Sequence, residues 1–434
     1  MITTPLPRIP VYYDVCRKTY WLPDAESKWI ELTEPSLKRQ LRAHGYQSEP
    51  DRGKLVSEVE EELNRYQMEQ NVVFAGAVAG QPKGIIKMCQ QRILVTDSPL
   101  IIEPKDGDCP NLDRFFKTLF KDRPEQLYHF FGWLKVGYES LRSGKHRPGQ
   151  VLAIAGPKDC GKSLVQAIIT EVYGGRAAKP YRYMSGETPF NSELFGAEHL
   201  IIEDEFASTD MRQRRHFGAR IKDFTVNQIQ SHHGKGRQAI SLIPFWRVSI
   251  SLNDEPENLA ILPPIDESLS DKIILLKASK AELPGETQTL EGRDRVWKIF
   301  MDELPAFLHS ITKQAMQPEY HSERFGVTHY HHPDLLTSID GMSPEQRLME
   351  LIDTELFNSP APGTWKGTAE RLESILTSSM DVGYMAKKLL NWPTATGTYL
   401  ARLLNKHPER IKQNRTKARR LWEIRPPGAE LVTE

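Results

Sequence analysis

Apolar and polar positions change period several times along this chain, and each change marks the boundary of an element. Residues 9–35 alternate aromatic and polar groups around Pro and Asp turns, the pattern of a small β-hairpin unit, with a helix predicted near Ser36–His44. Lys54–Gln70 reads as a charged helix and Val72–Pro99 as short strands. Residues 112–143 carry apolar groups at helical spacing and predict a pair of helices, which the GKHRPGQ segment at 144–150 breaks. From Val151 the texture becomes short, nearly continuous apolar runs (VLAIAG, HLIIEDE, WRVSISLN, DKIILLK), as expected of buried strands in a parallel or mixed sheet covered on both faces. Residues 314–340, rich in His, Pro, Gly and Ser, read as a connection. Beyond it, Ser343–Leu356, Thr368–Thr377, Tyr384–Asn391 and Thr396–Lys406 predict short helices, and Arg410–Ile424 a basic hairpin.

The 434 residues contain no run of eighteen apolar positions, so no membrane span is expected, and 39% apolar content argues against general disorder. Four cysteines, Cys16, Cys89, Cys109 and Cys160, are widely spaced without a CxxC pair, which indicates neither a disulfide framework nor a zinc ribbon. The amino terminus lacks the basic and apolar regions of a secretory signal, so a cytoplasmic protein is expected. The 57 basic and 57 acidic residues balance, but Tyr384–Arg425 holds eleven Lys or Arg against Glu409 and Glu423. That local excess of +9 calls for a polyanion partner.

Gly156-Pro157-Lys158-Asp159-Cys160-Gly161-Lys162-Ser163 matches the phosphate-binding pattern G-x-x-x-x-G-K-[ST], after the run VLAIA and before the helical pattern that opens at Leu164. Its glycines let backbone N–H groups approach phosphate oxygens, and the helix N-terminus adds positive potential. Lys162 would reach the β and γ phosphates of ATP, and the Ser163 hydroxyl would hold Mg²⁺. A second nucleotide element should be an apolar strand ending in carboxylates, which the run from Leu200 to Glu205 supplies. Asp204 is assigned to the Mg²⁺ shell and Glu205 to polarising water, with Glu203 leaving the register open by one. A third run ends at Asn253, whose amide could bond both the γ phosphate and the lytic water. Cys160, near a helix start, is expected to have a lowered pKa. The cluster His321, His329, His331 and His332 has no second ligand group at metal spacing, and Trp365 and Trp392 read as core anchors.

The close succession of these three motifs resembles the superfamily 3 helicases, and more closely their phage and plasmid primase-helicase branch. The likeness covers residues 150–320 well and the flanks loosely. It implies a P-loop AAA+ type core, ATP held between the subunits of a ring expected to be a hexamer, and a β-hairpin projecting into the channel. The stretches Ile221–Thr225, Ser231–Arg237 and Ile243–Phe245 resemble that extra motif. Independently, a Gly-flanked hairpin with His232, His233, Lys235 and Arg237 suits tracking of a phosphate backbone without base reading. One departure is that the family's usual Arg after the Asn strand is missing, since the segment reads Leu269-Ser270-Asp271-Lys272-Ile273. Lys272 is the candidate substitute as a catalytic cation, with Arg212, Arg214, Arg215 and Arg220 as alternatives.

The carboxy-terminal helices and hairpin predict a winged helix. Its helix would present Thr398, Tyr399, Arg402 and Lys406, with Lys412, Arg415, Lys417, Arg419 and Arg420 on or near the wing. The expected organisation is therefore an α/β chain: an α+β docking or loading region over 1–110, a helical collar over 111–147, an ATPase motor over 148–318, a linker over 319–342 and a DNA-binding module over 343–434. The expected activity is an ATP-dependent, ring-forming DNA helicase for replication of a phage, plasmid or other mobile element. It would act on single-stranded and forked DNA, away from any membrane. An ATP-switched replication initiator or loader is the alternative. No primase site is visible, so primers are expected from a separate protein.

Overall fold

The computed structural model describes residues 10–203, 211–236, 238–341, 343–358, 363–415 and 420–427, apart from the side chains at 211–213, 215, 257 and 415. It divides into two compact units, residues 1–332 and residues 333–434.

The first unit opens with β1 (Tyr12–Asp14), β2 (Thr19–Pro23) and β3 (Trp29–Leu32), then α1 (Glu34–Ala43) and α2 (Glu58–Glu69). Helix α2 starts later than the charged pattern suggests because Ser57 and Glu60 form a reciprocal capping box, which fixes the first turn there. Strand β4 (Asn71–Val72) joins β1 in parallel, completing a sheet of order β3-β2-β1-β4. A second small sheet, β5-β7-β6, comprises β5 (Phe74–Gly76), β6 (Gly84–Met88) and β7 (Gln91–Val95). The expected helix pair follows as α3 (Pro110–Leu119) and α4 (Gln126–Ser143), the latter stopped by Gly144 at φ 64°.

The principal sheet is built from β8 (Val151–Ala155), β9 (Ala177–Ala178), β10 (His199–Glu203), β13 (Arg247–Leu252) and β14 (Ile273–Lys277) in the order β14-β8-β13-β10-β9, with every pairing parallel. All five residues of β8 are buried, which explains its unbroken apolar run. Helix α5 (Lys162–Val172) and short α6 (Tyr181–Met184) follow β8 and β9. Helix α7 (Met211–Val226) and an antiparallel hairpin, β11 (Gln230–His232) and β12 (Ile240–Leu242), lie between β10 and β13 in sequence. Two short turns, α8 (Pro256–Leu259) and α9 (Glu267–Ser270), lead to β14, and α10 (Leu290–Lys313) packs on α3 and α4.

The first half of the segment expected to be a linker is integral to this unit. Phe325 and Val327 are buried, Tyr330 O accepts from Leu275 N (2.7 Å), and His332 N donates to Leu275 O (2.9 Å). Two apolar side chains and an edge strand with unpaired backbone groups hold this stretch against the sheet.

The second unit holds α11 (Pro333–Gly341), α12 (Pro344–Leu356), β15 (Trp365–Gly367), α13 (Ala369–Ser378), α14 (Gly383–Leu389), α15 (Ala395–Lys406), β16 (Ile411–Arg415) and β17 (Arg420–Ile424). Its antiparallel sheet has the order β15-β17-β16, one strand more than the expected hairpin, since three residues are too few to show a period. Trp365 and Trp392 pack against its core.

A buried polar network ties α5 to the principal sheet. The His199 ring lies 2.8 Å from both Thr170 Oγ1 and Ser249 Oγ, and Gln166 Nε2 donates to Ser249 Oγ (2.9 Å) and Ile202 O (3.3 Å). Burial lowers the His199 pKa to about 3, and burial together with the Arg247 charge lowers that of His146 to about 4. Both rings stay neutral in the fold while the unfolded chain takes up protons below its own pKa of about 6.5. Stability is thus fully present above that value and is lost as pH falls toward these lowered values, at about 1.4 kcal/mol per pH unit per ring. Denaturant melts at pH 5 to 7 should show the decline, with a shallower slope in His199→Gln.

Candidate nucleotide and nucleic-acid sites

The predicted phosphate loop joins β8 to α5 as a tightly held turn. Gly156 N donates to Leu252 O (3.1 Å), and a Cβ at this position would lie 2.4 Å from Ala278 O, so only glycine fits. Gly161 sits at φ +116° as the residue before α5. Asp159 has φ 57°, a left-handed conformation that Asp tolerates better than most residues. Cys160 O accepts from Ala281 N (3.1 Å), which ties the loop to the chain beyond β14. Pro157, Lys158, Asp159 and Ser163 are exposed, and Leu164 packs partly against the core.

Lys162 is buried, with its ammonium donating to Gly156 O and Pro157 O (2.8 Å each) and to Asn253 Oδ1 (3.2 Å). The first and third motifs, 91 residues apart, therefore meet at one charged group. The sheet register explains it: Leu252 pairs with Ala155, so β8 and β13 end together and deliver the loop and Asn253 to the same edge. Strand β10 ends beside them, with Glu203 opposite Ser251. Asp204 and Glu205 follow Glu203 and lie outside the described residues. Burial pushes the Cys160 thiol pKa up despite the nearby Lys162, so the expected lowering at a helix start does not hold. The 2% exposure of Cys160 leaves little path to solvent.

The β11–β12 hairpin is anchored at its root. His232 is buried between the rings of Phe74 and Phe195, at centroid distances of 5.0 and 4.9 Å, so it cannot serve as the exposed contact the sequence suggested. Buried Asn191 accepts from His233 N (2.8 Å) and donates to Ser231 O (2.9 Å), while its own N–H donates to His233 O (3.1 Å). The His233 ring lies against Phe190. Lys235 is exposed in the turn and Gly236 takes φ +70°. Arg237 lies outside the described residues. Neither Asn191 nor Phe74 carries a sequence signal for this role, because both act across long sequence separations.

Lys272 is not an exposed cation. It is 9% exposed, and its ammonium is 2.5 Å from Asp271 Oδ1. Arg324 donates to the other Asp271 oxygen (2.8 Å), lies over the Phe325 ring and remains half exposed. Burial opposes ionisation of Asp271, but the hydrogen bond and charge of Lys272 and the charge of Arg324 hold its carboxyl below the usual pKa. Ile273 pairs with Val151, which puts the Asp271 cluster at the end of the sheet opposite the phosphate loop. Arg220 is paired with Asp223 (3.2 Å) and lies over Tyr183, and Arg214 donates to Leu262 O (2.9 Å). The side chains of Arg212 and Arg215 fall outside the description.

In the second unit Tyr399 is a core residue at 2% exposure, in edge contact with Trp392, rather than part of a presented face. Arg402 and Lys406 are exposed, yet both are ion-paired with buried Glu345 (3.6 Å each). Lys412 is exposed on β16. The side chain of Arg415 and all of Lys417 lie outside the description.

No protein-family model matches this sequence, and no curated protein is detectably similar to it. Among solved structures, the apo structure of the NrS-1 C-terminal region (305–718) matches with a TM-score of 0.54 at 11% identity, over 95% of each chain. An A form apo structure of the same region gives 0.54 at 10% identity, again over 95% of each. A structure described as SCCmec type IV Cch, active helicase, gives only 0.31 at 12% identity, over 92% of this chain and 73% of that one. At such low identity the first two matches establish a likeness of architecture, and the chain shares the fold of the NrS-1 C-terminal region along nearly its whole length.

Proposed function

We propose that this chain is an ATP-dependent DNA helicase of superfamily 3 type, assembled as a hexameric ring, that serves replication of a phage, plasmid or other mobile element. The observation that supports it most is the contact of Lys162 with Asn253, which unites two motifs chosen independently for nucleotide chemistry. The loop suits a triphosphate: the N-terminus of α5 offers N–H groups, and the Ser163 hydroxyl is exposed. Mg²⁺, when bound, would neutralise phosphate charge, with Ser163 and Asp204 as its holders. Lys162 would exchange carbonyl partners for phosphate oxygens while keeping Asn253 within reach, and Glu205 would take a proton from the attacking water. The second unit is read as a winged helix that binds DNA, and primers would come from a separate protein.

In such a ring the sheet end opposite the phosphate loop would face the neighbouring subunit's nucleotide. We assign Arg324 as the trans cation there, in place of Lys272, because its guanidinium is planar, half exposed and oriented by Asp271 and Phe325.

Lys162→Ala should lower ATP hydrolysis by at least about a hundredfold and abolish unwinding, with DNA binding retained in a filter assay. Undiminished unwinding would refute the assignment. Arg324→Ala should lower hydrolysis by about a thousandfold, and Arg324→Lys should not restore it. Mixing Arg324→Ala with Lys162→Ala subunits should recover part of the activity, since some interfaces then hold both intact partners; no recovery removes the trans assignment. Lys235→Ala should cost about tenfold or more in strand displacement while sparing ATP hydrolysis without DNA. Unchanged displacement would instead favour a nucleotide-switched loader.

A further inference from the structure

The second unit carries a groove of about 980 Å³ between the first turn of α13, the outward face of α15 and strand β17. One side is formed by α15, whose lining residues include the small Gly397 and Ala401. Thr398, Arg402 and Asn405 line the same helix. The Asn405 amide and the Thr398 hydroxyl have no protein partner among the described residues, and Arg402 makes a single long ion pair, at 3.6 Å. The facing wall holds Glu370 and Glu373, the latter accepting from Thr396 Oγ1 (2.7 Å), and Arg420 lies on the β17 side.

We propose that this groove reads the base edges of duplex DNA, which gives the protein a sequence preference of its own. The inference rests on reading the second unit as a DNA-binding module. Two glutamates on one wall balance the two arginines of the lining, so the groove is not a uniformly basic seat for a phosphate backbone. Amide, hydroxyl, carboxylate and guanidinium together form a mixed set of donors and acceptors, and the major groove presents such a set. Asn405 can pair with adenine, Arg402 with guanine, and Glu370 can accept from the cytosine amino group. The small residues at 397 and 401 permit close approach of a base edge to α15, and Arg420, on the face of β17 that lines the groove, lies toward a flanking phosphate. A single strand is the poorer fit, because stacking needs an open aromatic face and the one ring in the lining, Trp422, is 2% exposed.

The test is enrichment of a random-sequence duplex library on the full-length protein at moderate salt, followed by titration of the enriched site and a scrambled duplex. A short enriched motif is expected. Asn405→Ala should weaken binding to it by about tenfold at one base position while leaving the scrambled duplex and the salt dependence unchanged. Arg420→Ala should weaken both duplexes equally and flatten the salt dependence. Circular dichroism and ATP hydrolysis without DNA should match wild type in each. No enriched motif, equal loss on both duplexes with Asn405→Ala, or preference for single strands overturns the proposal. If Arg420→Ala still weakens DNA binding, the module reading survives that failure; if it leaves binding untouched, the module reading falls as well.

Discussion

The arrangement depends on one buried ammonium. Lys162 sits at 8% exposure and is held by two loop carbonyls and one amide oxygen, the dipolar environment that an amine removed from water requires. Two of these acceptors belong to the loop itself, and the third, Asn253, is within reach because β8 and β13 are adjacent and in register, so their ends present the loop and Asn253 side by side. The Gly156 contact with Ala278 O and the Ala281 bond to Cys160 O close the same turn from β14. Shifting one strand would separate the charge from its acceptors and misplace every group assigned to the nucleotide.

The elements that follow from local pattern were legible in the sequence. The unbroken apolar runs marked β8, β10, β13 and β14, and the glycine spacing marked the loop. What escaped was partnership across the chain. His232 looked like an exposed basic residue in a glycine-flanked turn, yet Phe74 and Phe195, from remote segments, bury it. Lys272 looked available until Asp271 and Arg324 were placed beside it, and Arg324 itself lay in a stretch whose polar composition masked two buried apolar residues. Composition reports the average of a segment, whereas one or two side chains decide whether it packs.

Charge counting had a similar limit in the second unit. The excess of +9 over Tyr384–Arg425 is real, but part of it is answered from outside that span. Arg410 makes a two-pronged contact with Asp353, and Arg402 and Lys406 share Glu345. These pairs fix α15 and the start of β16 to α12, so part of the positive charge works as scaffolding. The field felt by a polyanion is correspondingly weaker than the count suggests.

The clamp at Asn191 bounds the mechanics of the hairpin. With Ser231 and His233 fastened and His232 wedged between rings, the start of the hairpin is fixed, and six residues of sequence separate His233 from β12. Six residues doubling back on themselves extend no further than about 10 Å, at about 3.5 Å per residue on each limb. Were the hairpin to move along nucleic acid as proposed, its stroke would therefore be short, and a longer excursion would demand that the pedestal itself come apart.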